Sequence, residues 1–344
     1  LGDWVDAESD RAWVAPDAAE ILRRMDRFHP IPDVPRRAGS WAEWLYFNGS
    51  AGNTRFYLSF LVGPRTTAGM RRAGVRLQLE DDGRMRTFRS SAEIDERELL
   101  ARAPDVRIGR SEVRLEGLRY RATLDLDGRG GESVVGEITL EAPPGRSIPP
   151  VTVRGAGGWV SGYVVPVLSG EIGGALRLGS ETISLAGGSG YHDHNWGFWE
   201  GVTWHWGQVA HDELSFVWGR ILPPADAADR ERAPGFLGAM GPDGPLGFST
   251  SVTIAEEYVP GTRHPRSMRV RGRSGSVALE MLLDIESVVE SPTGGPSPTN
   301  GEQLDFLQMR ALYRVAGRIG SRSVDFVAPG AAETFVRRAV GPQD

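Results

Sequence analysis

Short runs in which apolar and polar residues alternate dominate the chain. Side chains alternate between the two faces of a β-strand, so a period of two predicts strands with one buried face. Glycines and prolines, 45 and 23 in number, interrupt these runs at short intervals. This punctuation is typical of antiparallel meanders that close into sandwiches or barrels. We predict an all-β protein with strands over residues 54–62, 74–79, 118–126, 135–140, 213–221, 277–284 and 304–315.

Two segments depart from this period. Residues 16–28 predict a short N-terminal helix, because helical spacing puts four apolar residues on one stripe: Ile21, Leu22, Met25 and Phe28. The negative charge of Asp17 suits the start of a helix. Residues 92–102 predict a second short helix. Pro/Gly-rich stretches at 143–150 and 291–301 predict loops.

An internal similarity predicts the domain organisation. The string Trp44-Leu-Tyr46 is followed by Leu58-Ser-Phe60, and the string Trp204-His-Trp206 is followed by Leu214-Ser-Phe216. Two similar aromatic hairpins, about half a chain apart, suggest a duplicated β-domain, although chance recurrence of two short strings is an alternative. We therefore predict an N-terminal β-domain over residues 1–188 and a C-terminal one over 189–344.

Composition narrows the classes of function. The net charge of −6 and the lack of a basic run argue against nucleic-acid binding. The chain has no cysteine and no lysine, which excludes thiolate catalysis, Schiff-base chemistry and the P-loop lysine. No stretch is as long as the ~20 apolar residues of a membrane span. The chain begins at Leu1 rather than Met, so the compartment, cytoplasmic or exported, is left open. The sequence also leaves the oligomeric state open.

The unusual residues collect between Tyr191 and Trp218. This window holds four of the six histidines and five of the ten tryptophans. On a strand, His192, His194 and Trp196 would share one face, whereas Tyr191 and Asp193 would share the other. Repeated tryptophans of this kind fill a core or line a ligand cavity.

Three interpretations of this window compete. The pair His192-x-His194 resembles the ligand pair of cupin metal sites, and His205 or His211 could supply a third ligand, although Glu200 follows His194 at a longer spacing than cupins have. A second interpretation is structural, with His and Trp packed and hydrogen-bonded in a β-core. The third is an acid–base site in an aromatic cavity, which needs no cofactor. In that case burial raises the pKa of Asp193, which delivers a proton or orients a histidine that does.

Two strings resemble a known family. Tyr191-His-Asp-His-Asn-Trp-Gly197 is similar to the signature of the carotenoid 1,2-hydratase and AttH-like superfamily. Trp41-Ala-Glu-Trp-Leu-Tyr-Phe-Asn-Gly49 is similar to that group's E-W-W-Y-F-x-G segment. The group includes lipocalin-like Diels–Alderases. The resemblance implies two lipocalin-like antiparallel β-barrel domains packed together, an apolar ligand and no metal or redox cofactor.

The resemblance also implies candidate residues. A His and a Trp of the hydratases match His194 and Trp196. Their Tyr-x-Asp pair is replaced here by Trp218-Gly-Arg220, and an arginine cannot protonate an alkene because its pKa is above ~12. We therefore take Asp193, His194 and Tyr191 as the catalytic candidates. The substrate-binding candidates are Glu43, Trp44, Tyr46, His192, Trp196, His205, Trp206, Trp218 and Arg220.

These observations favour a cofactor-independent enzyme of the hydratase, cyclase or isomerase type. Its substrate would be a small apolar polyene, terpenoid or polyketide-like molecule. One alternative is a non-catalytic lipocalin-like carrier or sensor of a hydrophobic ligand. The other is a cupin-like metal enzyme.

Overall fold

The computed structural model describes residues 16–67, 69–292 and 303–338. The described part of the chain is all-β, as predicted, with two short α-helices. Helix α1 spans Ala18–Met25, and the Asp17 side chain caps it by accepting from the backbone N–H of Ala19 (2.9 Å) and Glu20 (3.1 Å). The predicted N-terminal helix is thus confirmed.

The second helix is shorter than predicted. Helix α2 spans Glu96–Arg102, capped by Asp95, whose side chain accepts from the Glu98 N–H. Residues 92–95 belong instead to the preceding strand, where they pair with Met70–Ala73. The cross-strand ladder outweighs the local helical pattern there.

Twelve strands form the first sheet. They are β1 (Trp41–Ala51), β2 (Thr54–Thr67), β3 (Met70–Asp81), β4 (Arg84–Asp95), β5 (Val106–Ile108), β6 (Ser111–Glu116), β7 (Arg119–Asp127), β8 (Ser133–Glu141), β9 (Ile148–Arg154), β10 (Val160–Leu178), β11 (Glu181–Ser184) and β12 (Gly188–Phe198). Of the predicted loop over 143–150, the last three residues, 148–150, belong instead to β9, which begins at Ile148.

Eight of these strands close into an antiparallel barrel. The order is β10-β12-β1-β2-β3-β4-β7-β8, and β8 also pairs with β10. Closure removes the free edges of these strands. The inner face carries fully buried apolar residues such as Leu45, Phe60 and Leu77.

The interior of this barrel is largely filled. A cavity of about 10 Å³, lined by Phe47, Tyr120 and Ile172 among others, has room for about one water molecule. The inner-facing side chains Leu45, Phe60 and Leu77 are fully buried, so the interior around them is occupied by packed side chains.

Nine strands form the second, curled sheet, in the order β16-β15-β14-β13-β21-β20-β19-β18-β17. They are β13 (Thr203–His211), β14 (Leu214–Leu222), β15 (Gly235–Gly241), β16 (Gly244–Ser249), β17 (Ser251–Tyr258), β18 (Pro265–Arg273), β19 (Val277–Pro292), β20 (Gln303–Ile319) and β21 (Arg322–Arg338). Of the predicted loop over 291–301, residues 291 and 292 end β19, and the remainder lies outside the described residues.

Contacts divide the described chain into two compact units. One contains residues 16–152 and Gly162–Gly197, and the other contains Val153–Ser161 and residues 198–338. The predicted domain boundary at 188/189 lies at the start of β12, whereas the contacts change between Gly197 and Phe198. The two-domain boundary at 188/189 stays a prediction.

Both aromatic strings of the internal similarity form antiparallel hairpins. The first is β1–β2, in which Tyr46 lies opposite Ser59. The second is β13–β14, in which Trp206 lies opposite Gly219. Among the described helices, neither has the length and apolar character needed to cross a bilayer.

Candidate functional site

Asp26 lies at the centre of a buried polar network inside the first unit. It ends α1, where its own N–H bonds to the Leu22 carbonyl (3.1 Å). Its carboxylate, which is fully buried, accepts hydrogen bonds from Tyr120 (2.7 Å), His192 (2.9 Å) and His194 (2.8 Å). Burial alone raises the pKa of Asp26, but the two histidines outweigh it and hold that pKa well below the usual range.

His192 bridges Asp26 and the backbone of β1. Its Nε2 contacts Asp26 Oδ2, and its Nδ1 lies 2.9 Å from the Tyr46 carbonyl oxygen. Both partners are oxygen atoms, so the two ring nitrogens tie the Asp26 carboxylate to the backbone of β1. The ring is also stacked on Phe47, at 4.1 Å between centroids.

His194 bridges two carboxylates. Nδ1 lies 2.8 Å from Asp26 Oδ1, and Nε2 lies 3.0 Å from Glu43 Oε1. Burial alone would lower the pKa of His194, but hydrogen bonds to Asp26 and Glu43 raise it to about 9. The ring is therefore a buried cation at neutral pH.

Glu43 connects this network to His29. The carboxylate accepts from the His29 backbone N–H (3.0 and 3.1 Å) and lies 2.7 Å from His29 Nδ1. Burial alone raises the pKa of Glu43, but hydrogen bonds from His194 and His29 lower it overall. The His29 side chain retains 22% exposure, so the network reaches the surface there.

Two further side chains hold His29 in place. The indole of Trp196 stacks on its ring, with centroids 4.1 Å and planes 16° apart. Arg71, which is fully buried, donates to the His29 carbonyl (3.4 Å) and to that of Gly63 (3.0 Å). The rim of the network is thus built from aromatic stacking and backbone contacts.

The opposite face of β12 carries a second polar group. The Tyr191 hydroxyl donates to Asp193 Oδ2 (2.8 Å), and Asn195 donates to Asp193 Oδ1 (2.8 Å). The Tyr163 and Tyr191 hydroxyls lie 2.6 Å apart. Burial, followed by the charge of Asp193, raises the pKa of Tyr191 well above its usual value. We call these four residues the outer-face relay.

Period two also separates the candidates on β1. Glu43 contacts the inner network, so Trp44 and Tyr46 lie on the outer face of the barrel, as Tyr191 and Asp193 do on the neighbouring β12. The predicted alternation along β12 is thus observed directly. The inner face is packed around the histidines rather than hollow, because Phe47 and Tyr120 both contact the His192 ring.

The remaining candidates belong to the second unit. Trp218 is fully buried in its core, and Trp206 is buried opposite Glu333. His205 lies 3.4 Å from Glu256. The Arg220 guanidinium donates to backbone carbonyls, those of Ala233 (2.9 Å), Arg230 (3.1 Å) and Glu231 (2.9 Å).

The cupin-like ligand set is not the one that the structure assembles. His205 faces Glu256, and His211 stacks on Phe326 at 4.7 Å. In the described ranges, the group of metal-ligating type combines His194 with Glu43 and His29, whose ligand atoms all lie within 4.8 Å of one another.

Five residues of the buried network and the outer-face relay were not predicted from the sequence: Asp26, His29, Tyr120, Arg71 and Tyr163. One signal was available for two of them. Asp26 lies in the last turn of the predicted helix and His29 directly follows it, three residues on, and an acid and a histidine at a helix end can point to one place. Nothing local marked the other three residues, since the contacts that join them to the site span 28 to 94 residues of chain.

No family model matches the chain, and no curated protein matches it. Among solved structures, one described as a "putative AttH (NE1406)" from Nitrosomonas europaea has a TM-score of 0.56 at 14% identity. The match covers 89% of this chain and 99% of that one. The chain has an AttH-like fold.

Two structures of CghA share this AttH-like fold. The first has a TM-score of 0.53 at 12% identity and covers 89% of this chain and 90% of that one. The second, CghA with Sch210972, has a TM-score of 0.51 at 12% identity, over 90% and 94% of the two chains. The predicted AttH-like, lipocalin-like β-architecture is confirmed at the level of the fold.

Proposed function

We propose that this AttH-like chain is a cofactor-independent enzyme that isomerises or cyclises an apolar polyene, terpenoid or polyketide-like substrate. The observation that carries the proposal is the outer-face relay, in which Asp193 is linked through Tyr191 to the half-buried Tyr163. Trp44 and Tyr46 lie on the same face of the neighbouring strand and supply apolar surface.

The protonation state of Asp193 sets the direction of the relay. When Asp193 is a carboxylate, Tyr191 donates to it and Tyr163 donates to Tyr191. When Asp193 is protonated, both donors can reverse, and the Tyr163 O–H becomes available to a substrate. Because the pKa of Tyr191 is raised, its hydroxyl passes a proton on and does not hold a charge.

This chemistry favours some reactions of the predicted set over others. A phenol is too weak an acid to protonate an unactivated alkene, which disfavours simple hydration. A phenol can donate a hydrogen bond to a substrate carbonyl, which polarises a conjugated alkene for cyclisation or isomerisation. Holding the substrate in a reactive conformation supplies the rest of the acceleration.

The structural likeness supports the same class. CghA, which shares the fold, is a lipocalin-like Diels–Alderase. His194 has both ring nitrogens engaged by carboxylates, so its predicted catalytic role stays a prediction and positioning is the simpler role.

The test compares wild type with Asp193→Asn and Tyr163→Phe on two probes, a synthetic polyene with a conjugated carbonyl and the acyclic terpenoid lycopene. Products are resolved by liquid chromatography and mass spectrometry, and binding is followed by tryptophan quenching. We expect an isomeric product from the carbonyl-bearing probe and a loss of turnover of ~10²-fold or more in both variants, with binding retained.

Tyr313→Phe is the control, since it likewise removes a hydrogen-bonded tyrosine hydroxyl, which here donates to the backbone carbonyl of Ala331 (2.6 Å). It should keep full turnover. Turnover retained in Asp193→Asn and Tyr163→Phe would reject the relay. Binding of both probes without turnover by wild type would favour the carrier, and a product heavier by one water would favour hydration.

A further inference from the structure

We propose that His29, Glu43 and His194 form a binding site for a divalent transition-metal ion of the Zn²⁺ type. The site lies on the inner face of the first barrel, whereas the outer-face relay lies on the other side of β12. It therefore uses none of the residues of the relay and is independent of the proposed reaction.

The donor atoms are of the kind and number that zinc takes. Two imidazoles and one carboxylate are a common three-ligand set, which leaves one coordination position open. His29 Nδ1 and His194 Nε2 converge on the same oxygen, Glu43 Oε1, at 2.7 and 3.0 Å. Bond lengths of about 2.1 Å in a tetrahedron place ligand atoms about 3.4 Å apart, so these atoms need to separate by less than ~1 Å.

The surroundings of the ligands resemble the outer shell of a metal site. Metal-binding histidines commonly donate their second nitrogen to a carboxylate, which fixes the ring and its tautomer. His194 does so through Nδ1 to Asp26, which is itself held by His192 and Tyr120. At His29, stacking against Trp196 fixes the ring plane.

The ion would take the place of the protons in the hydrogen bonds that now link His29 and His194 to Glu43. The Nε2 proton of His194 would leave, and the Nδ1 proton of His29 would leave or move to Nε2 of the same ring. The buried carboxylates of Asp26 and Glu43 would balance part of the added charge, against the nearby guanidinium of Arg71. Access is through His29, the ligand with an exposed surface.

The experiment uses the full chain without an affinity tag, stripped with a chelator and titrated with Zn²⁺ in a calorimeter. Co²⁺ serves as a second probe, because its visible absorption reports tetrahedral coordination. We expect one equivalent to bind, and we expect His29→Ala and Glu43→Gln each to weaken binding at least ~100-fold. Co²⁺ should also quench part of the tryptophan emission, and this part should disappear in Trp196→Phe.

His29→Ala keeps the test decisive if the buried Glu43 variant does not fold, since His29 is partly exposed. His264→Ala is the matched control, because His264 is an exposed histidine paired with a carboxylate, Glu290 (2.8 Å), and it belongs to the second unit. It should leave binding unchanged. No binding by wild type, or binding that survives His29→Ala, would overturn the proposal.

Discussion

The indole of Trp196 occupies the space where a side chain on Gly162 would lie. A Cβ built on Gly162 would come within 2.0 Å of Cε2 of Trp196. The indole also stacks on the His29 ring, with centroids 4.1 Å apart. Trp196 is thus held between a backbone segment of β10 and an imidazole of the polar network.

Gly162→Ala should therefore destabilise the protein. The methyl group would displace Trp196 and disturb its stack with His29, and overpacking of this kind costs about 1–3 kcal/mol or more. Urea denaturation followed by tryptophan fluorescence measures the change. Gly39→Ala, with nothing within 4 Å of its Cβ, should change the free energy of unfolding little, and equal effects at both positions would contradict this packing.

Asp26→Asn should be among the most destabilising single substitutions. The amide introduced at this position would place an N–H₂ group against one imidazole N–H, and the buried His194 cation would lose one of its two carboxylates. Removing one partner of a buried ion pair costs about 3–5 kcal/mol. Chemical denaturation checks this value.

The control for Asp26 is Glu20→Gln on the same helix, which removes an exposed ion pair with Arg24. Exposed pairs of this spacing contribute about 0.3–0.5 kcal/mol. A loss for Asp26→Asn as small as the loss for Glu20→Gln would show that the network contributes little to stability.

Trp218→Ala should act as a core substitution. Trp218 is fully buried, and a Cβ on Gly207 would lie 2.6 Å from its ring. Truncating a buried tryptophan costs about 3–5 kcal/mol because it leaves a cavity. Thermal and urea unfolding provide the measurement. Val327→Ala at an exposed position should cost less than about 0.5 kcal/mol. If Trp218→Ala left stability intact but abolished ligand quenching, the predicted binding role of Trp218 would be favoured.

Glu256→Gln should change how stability depends on pH. Burial alone raises the pKa of Glu256, but hydrogen bonds and charge from His205, with Tyr258 and Thr334, lower it overall. A carboxyl whose folded pKa is depressed stabilises the fold above its unfolded pKa of about 4.3, and that contribution is lost as pH falls through the folded value.

The difference in unfolding free energy between wild type and Glu256→Gln should therefore be larger near pH ~6 than near pH ~3. Denaturation curves at several pH values measure it. The control is Glu98→Gln, at an exposed helical position paired with Arg102. If the difference in unfolding free energy between wild type and Glu256→Gln grew as the pH fell, the lowered pKa of Glu256 would be refuted.

The period-two pattern predicted the class of fold, because the alternation of apolar and polar residues within each strand shows which of its faces is buried. It also assigned His192 and His194 to one face of β12, and Tyr191 and Asp193 to the other. Local capping chemistry at Asp17 marked the start of α1 correctly. The pattern failed at residues 92–95, since pairing with β3 is a long-range contact that a local window does not contain.

The candidate site was predictable only in part. Glu43, His192 and His194 were identified from unusual composition and family resemblance, and the structure brings them together. Their partners Asp26 and His29 were not identified, because both come from the N-terminal segment. Asp26 is separated from His194 by 168 positions in the sequence. Tyr163 likewise joins Tyr191 only because β10 and β12 are neighbours in the sheet.

The strands, their buried faces and the stretch rich in histidine, acid and indole can be read from the order of residues. Strands and faces are local properties, because they follow from the two-residue repeat of the extended backbone. The meeting of Asp26, at the end of α1, with the histidines of β12 depends instead on the folded barrel. Hydrogen bonds at 2.7–3.0 Å require atoms from distant segments to meet, and only the completed barrel fixes where those segments lie.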